Sequence, residues 1–222
     1  MEEAYAVHAA LMEAIGPVGG YKVSQKAGRP PVVAPIPESR CFASGAHVEG
    51  ADPIGIELEV GFVVVDTIPS PEDPAFGRKL IDAVRPAPMV ELVATRIEGA
   101  LAEDPHVKLA DLQANEALIC GAPVPDWDGR DFATPDIDLR SAQGPLHHGP
   151  GQVPGGSALQ ALEATLRALG GRFGGLHPGQ RVITGTLRPL LFLPMPQQVS
   201  GAVSGLGPVA VDLSARMKAP SG

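Results

Sequence analysis

Between Ile54 and Val65 the chain runs Ile-Gly-Ile-Glu-Leu-Glu-Val-Gly-Phe-Val-Val-Val, and from Ile56 to Val60 apolar and acidic residues alternate strictly. A period of two marks a strand, and the β-branched and aromatic residues that follow reinforce it. Met89 to Ile97, Met-Val-Glu-Leu-Val-Ala-Thr-Arg-Ile, reads as a second strand. Phe76 to Val84 reads as a helix ending near Arg85-Pro86, and a helix between two strands predicts a crossover. At the start, Ala6, Leu11, Met12 and Ile15 recur at near-helical spacing and Gly16-Pro17 supplies a stop. Ser157-Ala158-Leu159-Gln160 is a capping box, after which Leu159, Leu162, Leu166 and Leu169 mark one helix face ended by Gly170-Gly171. Beyond Arg181, the runs 182–184, 190–193, 199–203 and 209–213, separated by Gly and Pro, predict several short strands.

Two stretches are less regular. Leu109 to Cys120 fits helix or strand, and Pro123 to Gly156 fits a strand pair with long loops. Gly19 to Gly50 is broken by Gly28, Pro30, Pro31, Pro35 and Pro37, which predicts loop or isolated strand after a brief extended piece at Tyr21 to Val23. Such a segment would serve as a lid or rim.

Composition narrows the class. With 222 residues, 44% of them apolar, the chain can bury one sizeable core, while Gly 27, Pro 24 and only 4% aromatics favour a turn-rich α+β fold over a helix bundle. The expected organisation is one catalytic domain: an N-terminal helix in 1–18, a loop-rich lid or rim in 19–50 and a core in 51–216. A net charge of -8 without a compact basic patch argues against nucleic acid and anionic membranes as partners. Cys41 and Cys120 lack zinc-site spacing and read as reduced thiols. Met1-Glu2-Glu3 has the wrong charge for a secretory leader, and no apolar run approaches the ~18 residues of a membrane span. A cytoplasmic protein is expected.

The candidate chemistry lies in the strands. Glu57 and Glu59 leave one face of a strand roughly 6.6 Å apart, and Glu91 stands alone in the second apolar strand. Together the three make a hard, all-oxygen site suited to Mg²⁺, Mn²⁺ or Ca²⁺. The alternative is a solvent-facing strand edge. Lys22 stands in an apolar extended segment, where burial would lower its pKa and let it trade protons near neutrality; otherwise it is an ordinary surface lysine. His8, His47, His106, His147, His148 and His177 form no metal pattern and read as surface or loop residues. Gly-x-Ser-x-Gly, phosphate-loop and dinucleotide fingerprints are absent, which counts against those enzyme classes.

In order along the chain, these segments resemble the 2-keto-4-pentenoate hydratase branch of the fumarylacetoacetate hydrolase superfamily. Gly20-Tyr21-Lys22-Val23 is similar to its Gly-Tyr-Lys-Val/Ile-Gly segment, Ile56 to Phe62 to its Glu-x-Glu-Ile-Ala-Phe strand, and Val90 to Ile97 to its Leu-Glu-Ile-Val-Asp-Ser-Arg strand. Leu109 to Asn115 resembles its Ala-Asp-Asn segment, and Val182 to Thr186 its Thr-Gly-Ser/Ala turn. The resemblance implies a mixed β-roll, Glu57, Glu59 and Glu91 as ligands of Mg²⁺ or Mn²⁺, and Lys22 as the residue that works on the substrate. Tyr21, Gln113, Thr184, Gly185 and Thr186 would enclose a small 2-oxo acid. It further implies a homo-oligomer of aromatic catabolism that adds water to a 2-hydroxy-2,4-dienoate to give a 4-hydroxy-2-oxo acid. The chain departs from the pattern at Ser24, at Ala94-Thr95, at Leu112 and at Glu116, where the family has a small residue. Three other readings stay open: decarboxylation of an oxalocrotonate-like diacid, hydrolytic C–C cleavage with His47 and Glu49 as a candidate base pair, and a keto-acid-binding relative without turnover.

Overall fold

The computed structural model describes residues 1–25 and 30–216. In chain order its elements are α1 (Glu2–Ile15), β1 (Val18–Ser24), β2 (Val32–Pro37), β3 (Cys41–Ala43), β4 (His47–Gly50), β5 (Ile54–Val64), α2 (Phe76–Ala83) and β6 (Val84–Val93). There follow α3 (Pro105–Ala110), β7 (Asn115–Cys120), β8 (Asp136–Ser141), β9 (Gly144–Pro150), α4 (Ala158–Leu169), β10 (Arg181–Thr186), β11 (Leu191–Leu193), β12 (Gln197–Val203) and β13 (Gly207–Ala215).

β5 lies inside the larger of two sheets, ordered β2-β1-β10-β5-β6-β7-β3, with β11 pairing with one end of β5. The smaller sheet runs β4-β13-β12-β8-β9. Parallel pairs (β1 with β10, β3 with β7, β4 with β13) mix with antiparallel ones, which makes this the expected α+β fold with a mixed roll. No helix among the described residues is long and apolar enough to cross a membrane.

Strand periodicity decides what each face of β5 does. Ile54, Ile56, Leu58, Val60, Phe62 and Val64 all enter the main core, together with Val199, Val209, Val211 and Leu213 of the smaller sheet. Each such side chain stabilises the fold by about 1.5–3 kcal/mol. Gly201 of β12 lets the smaller sheet pack closely on β5, since an added Cβ would stand 2.7 Å from Leu58 Cδ1. The opposite face carries Glu57 and Glu59, flanked by a small apolar cluster of Ile36, Ala87, Met89, Leu118 and Ile183. α4 forms as its pattern predicts: Ser157 Oγ accepts from Gln160 N at 2.9 Å, and Leu162, Leu166 and Leu169 are buried.

Four expectations need correction. Prolines do not exclude Gly19 to Gly50 from the sheets: β1 and β2 pair over most of their length, and β2, with Pro35 and Pro37, is a terminal strand. α2 does not make a crossover, because β5 and β6 pair antiparallel from Gly55↔Val93 to Val64↔Val84. β6 begins at Val84, before Pro86 and Pro88, whose carbonyls accept from Val124 N and Gly121 N at 2.9 and 2.8 Å, and it ends at Val93. In α1 the buried face is Ala4, His8 and Met12, one side of the helix at i, i+4 and i+8. His8 is therefore not a surface residue; its Nε2 meets Leu109 O at 2.5 Å and ties α1 to α3.

Candidate metal centre

Glu57 and Glu91 face each other across the β5–β6 ladder, and Glu59 stands two residues further along β5. Carboxylate oxygens of all three lie within 4.8 Å of one another. Like charges directly opposed in a ladder are destabilising, and solvent reaches only Glu57, which is half-buried: Glu91 is 0% and Glu59 2% exposed. The solvent-edge alternative is thereby removed.

The partners are too few to neutralise the cluster. Lys22, from β1, donates from Nζ to Glu91 Oε1 at 2.6 Å and to Gln113 O at 3.2 Å. Asn115 Nδ2 donates to the same Glu91 oxygen at 2.7 Å. Glu59 Oε2 accepts from Gly185 N at 2.6 Å. Only glycine suits that turn, because φ is +106° and an added Cβ would stand 2.7 Å from Pro154 Cγ. Glu91 Oε2 and Asn115 Oδ1 are buried without a hydrogen-bond partner among the described residues. Three carboxyl groups thus meet one ammonium, which leaves two negative charges in excess when all three are ionised, and a buried oxygen with no donor.

The electrostatic consequences follow. Burial, then the neighbouring Glu91, raises Glu57 to about 7 against the pull of Lys22. Glu59 is pushed well above the usual carboxylate range by burial, Glu91 and Glu57. For Lys22, burial alone would lower the pKa, but Glu91, Glu57 and Glu59 outweigh it and the net direction is up. The expected lowering of the Lys22 pKa is therefore corrected: its carboxylate neighbours push it up. Three hard oxygen donors, the charge deficit and the orphaned Glu91 oxygen fit a divalent cation such as Mg²⁺ or Mn²⁺.

A cavity of about 290 Å³ opens on the triad, and Lys22, Gln113, Thr184, Gly185 and Thr186 line it. Thr184 Oγ1 donates to Val60 O at 2.8 Å and Thr186 Oγ1 to Arg188 O at 2.6 Å, so both hydroxyl protons are committed to the main chain. Tyr21 is placed elsewhere: alternation turns it to the other face of β1, where its hydroxyl donates to Gly175 O at 3.2 Å and its ring packs on Phe173. His47 and Glu49 lie on β4 of the smaller sheet; His47 bonds Asp212 and Ser214 at 2.9 Å each, and neither residue lines the cavity.

Sequence reasoning assigned no role to Asn115, Ser24 or Lys108, which complete the site. Asn115 and Gln113 are presented by a strained segment: Leu112, Gln113 and Ala114 adopt φ of 53°, 57° and 58° in succession. Each costs of order ~1 kcal/mol for a residue with a Cβ. Bracing holds the segment, since Arg96 Nη1 donates to Asp111 Oδ1 at 2.8 Å, Arg96 Nη2 donates to Asn115 O, and Ala94 N donates to Ala114 O at 2.9 Å.

A mixed α+β roll with a converging glutamate triad on two adjacent strands is the class that fold and site define. Among solved structures the fold is similar to 4-oxalocrotonate decarboxylase from Pseudomonas putida G7, complexed with magnesium and adipate, at TM-score 0.75 and 20% identity, over 96% of this chain and 85% of that one. It is also similar to 5-carboxymethyl-2-hydroxymuconate delta-isomerase from Mycobacterium smegmatis (0.60, 16%, over 90% and 79%). A third likeness is to fumarylpyruvate hydrolase from Pseudomonas aeruginosa, in complex with Mn²⁺ and pyruvate (0.59, 15%, over 91% of each chain). At these identities the likeness establishes the fold. No family model matches the chain, and no curated protein matches it.

Proposed function

We propose that this protein is a divalent-metal-dependent lyase acting on 2-hydroxy-2,4-dienoates and the 2-oxo acids related to them by tautomerisation. The observation that carries the reading is the converging triad Glu57, Glu59 and Glu91, with Glu59 and Glu91 buried and one ammonium for three carboxyl groups, at the end of a cavity sized for a small organic acid. Mg²⁺ or Mn²⁺ held by these glutamates would supply a Lewis acid for the carboxylate and 2-oxygen of such a substrate. Lys22, paired with Glu91, would act as an ammonium whose Nζ offsets negative charge developing on the substrate. Glu91 and Gln113 O fix that ammonium in place. Ser24, Gln113, Thr184 and Thr186 shape the walls around the acid. The whole chain acts as one catalytic unit, with the glutamates from 51–216 and the lysine from the preceding stretch. Cytoplasmic location and homo-oligomeric assembly accompany this reading.

Within the class, hydration gives a 4-hydroxy-2-oxo acid and is supported by the resemblance of the three site segments to the hydratase branch. A second reading, decarboxylation of an oxalocrotonate-like diacid, is favoured by one observation. The described lining holds no histidine, and no carboxylate beyond the triad, to activate water. That same lining weighs against hydrolytic C–C cleavage. The test is to follow ultraviolet absorbance and CO₂ release with 2-hydroxy-2,4-pentadienoate or 4-oxalocrotonate and added Mg²⁺. Mg²⁺-dependent consumption of one of them is expected, and CO₂ release separates the two reactions. A protein that binds Mg²⁺ yet consumes neither substrate contradicts the enzymatic reading.

A further inference from the structure

A second cavity, of about 380 Å³, adjoins the one over the glutamates. Ser24, Lys108 and Gln113 line both, so these three side chains form the boundary between them. The chemistry changes across it. On one side are three carboxylates and an ammonium; on the other, Met1, Pro30, Val32, Pro105 and Leu109 give walls that are mostly apolar, with His106 as the polar member beyond the boundary. The apolar wall is anchored, because Leu109 is 1% exposed and its carbonyl meets buried His8 of α1.

We infer that this annex receives the distal end of the substrate, and that the substrate is a 2-oxo acid with an apolar tail, alkyl or aryl, in place of a second carboxylate. The inference rests on the metal-site reading above, which fixes the acid head at the triad. A chain leaving that head past Ser24 and Gln113 enters apolar surroundings. A carboxylate carried there would lose its hydration without a buried cation to compensate it. Each methylene buried instead improves affinity roughly fourfold. Lys108 at the boundary and His106 in the annex are both solvent-exposed, and exposed side chains contribute little to holding an anion.

Calorimetric titration of the full chain with Mg²⁺ present, using oxalate, pyruvate, 2-oxooctanoate and 2-oxoadipate, tests the inference. Oxalate and pyruvate should bind, and 2-oxooctanoate should bind at least about tenfold more tightly than either pyruvate or 2-oxoadipate. Val32→Trp, which fills the annex, should erase that advantage while oxalate affinity stays within about twofold. The wild-type series decides the matter even if the variant fails to fold. Equal affinity for short and long monoacids, with oxalate still bound, overturns the apolar annex alone. Tightest binding of 2-oxoadipate also overturns it and makes Lys108 the reader of a diacid. If oxalate does not bind, the metal-site reading has failed and the annex proposal fails with it.

Discussion

Two groups of buried carboxylates flank residue 115, and the fold treats them in opposite ways. Glu116, 4% exposed, receives Arg40 at 3.0 Å, Arg96 at 3.6 Å and Arg216, while Asp111 receives Arg96 at 2.8 Å. Those guanidiniums come from just before β3, just after β6 and just after β13, so the cluster clamps strand ends together. Glu57, Glu59 and Glu91 receive one ammonium, the Asn115 side-chain amide and the Gly185 N–H. The chain therefore compensates buried acids where they serve structure, and leaves a dication's worth of charge unmet at the triad. Buried charge unpaired in this way is costly, and it is retained where a ligand is to complete it.

The comparison can be broken at either cluster. The largest effect is expected for Glu116→Ala, which removes the carboxylate shared by three guanidiniums and should cost about 3 kcal/mol in urea unfolding, the low end because they reach solvent and Arg40 and Arg96 keep other acceptors. A loss under about 0.5 kcal/mol would deny the clamp. Next, Mg²⁺ at one hundred times its dissociation constant should stabilise the wild type by about 2.7 kcal/mol. Glu91→Gln should abolish this gain, while in the metal-free protein the like charge it removes opposite Glu57 offsets its lost ion pair with Lys22.

A pH series sharpens the contrast further. Glu57, at about 7, and Glu59 both lie above the ordinary carboxylate value, so the folded protein keeps protons that the unfolded chain has released. Their favourable contribution is complete below about pH 4.5 and is lost as pH rises through 7. Metal-free protein should thus be less stable at pH 8 than at pH 5.5, and Mg²⁺ should flatten the trend; stability rising with pH in the metal-free protein would contradict it. The smallest effect is a control remote from both clusters. Ser157→Ala removes the cap of α4 and should cost about 1 kcal/mol with unchanged Mg²⁺ affinity.

The strands that carry the triad are legible because Glu-Leu-Glu alternates inside an apolar run, and because Glu91 is isolated in another such run. Helix α4 is legible from its cap and leucine spacing. What escapes is nonlocal. β2 and β6 hold four prolines, which local propensity reads as breaks, yet sheet position supplies partners for the remaining backbone groups. His8 looks like a scattered polar residue until α3 packs on it and Leu109 O takes its ring nitrogen. Lys22 is misjudged in the direction of its pKa, because burial can be guessed from neighbours in the chain but three carboxylates arriving from β5 and β6 cannot. Tyr21, adjacent to Lys22, necessarily faces the other way by strand alternation, although the resemblance groups the two.

The most direct test of the shared cation is a crystal structure of Mn²⁺-soaked protein with anomalous data collected at the manganese edge. A single strong peak bonded to oxygens of Glu57, Glu59 and Glu91 is predicted. No peak at the triad, or carboxylates that turn away from one another around an ordinary water, would contradict the account.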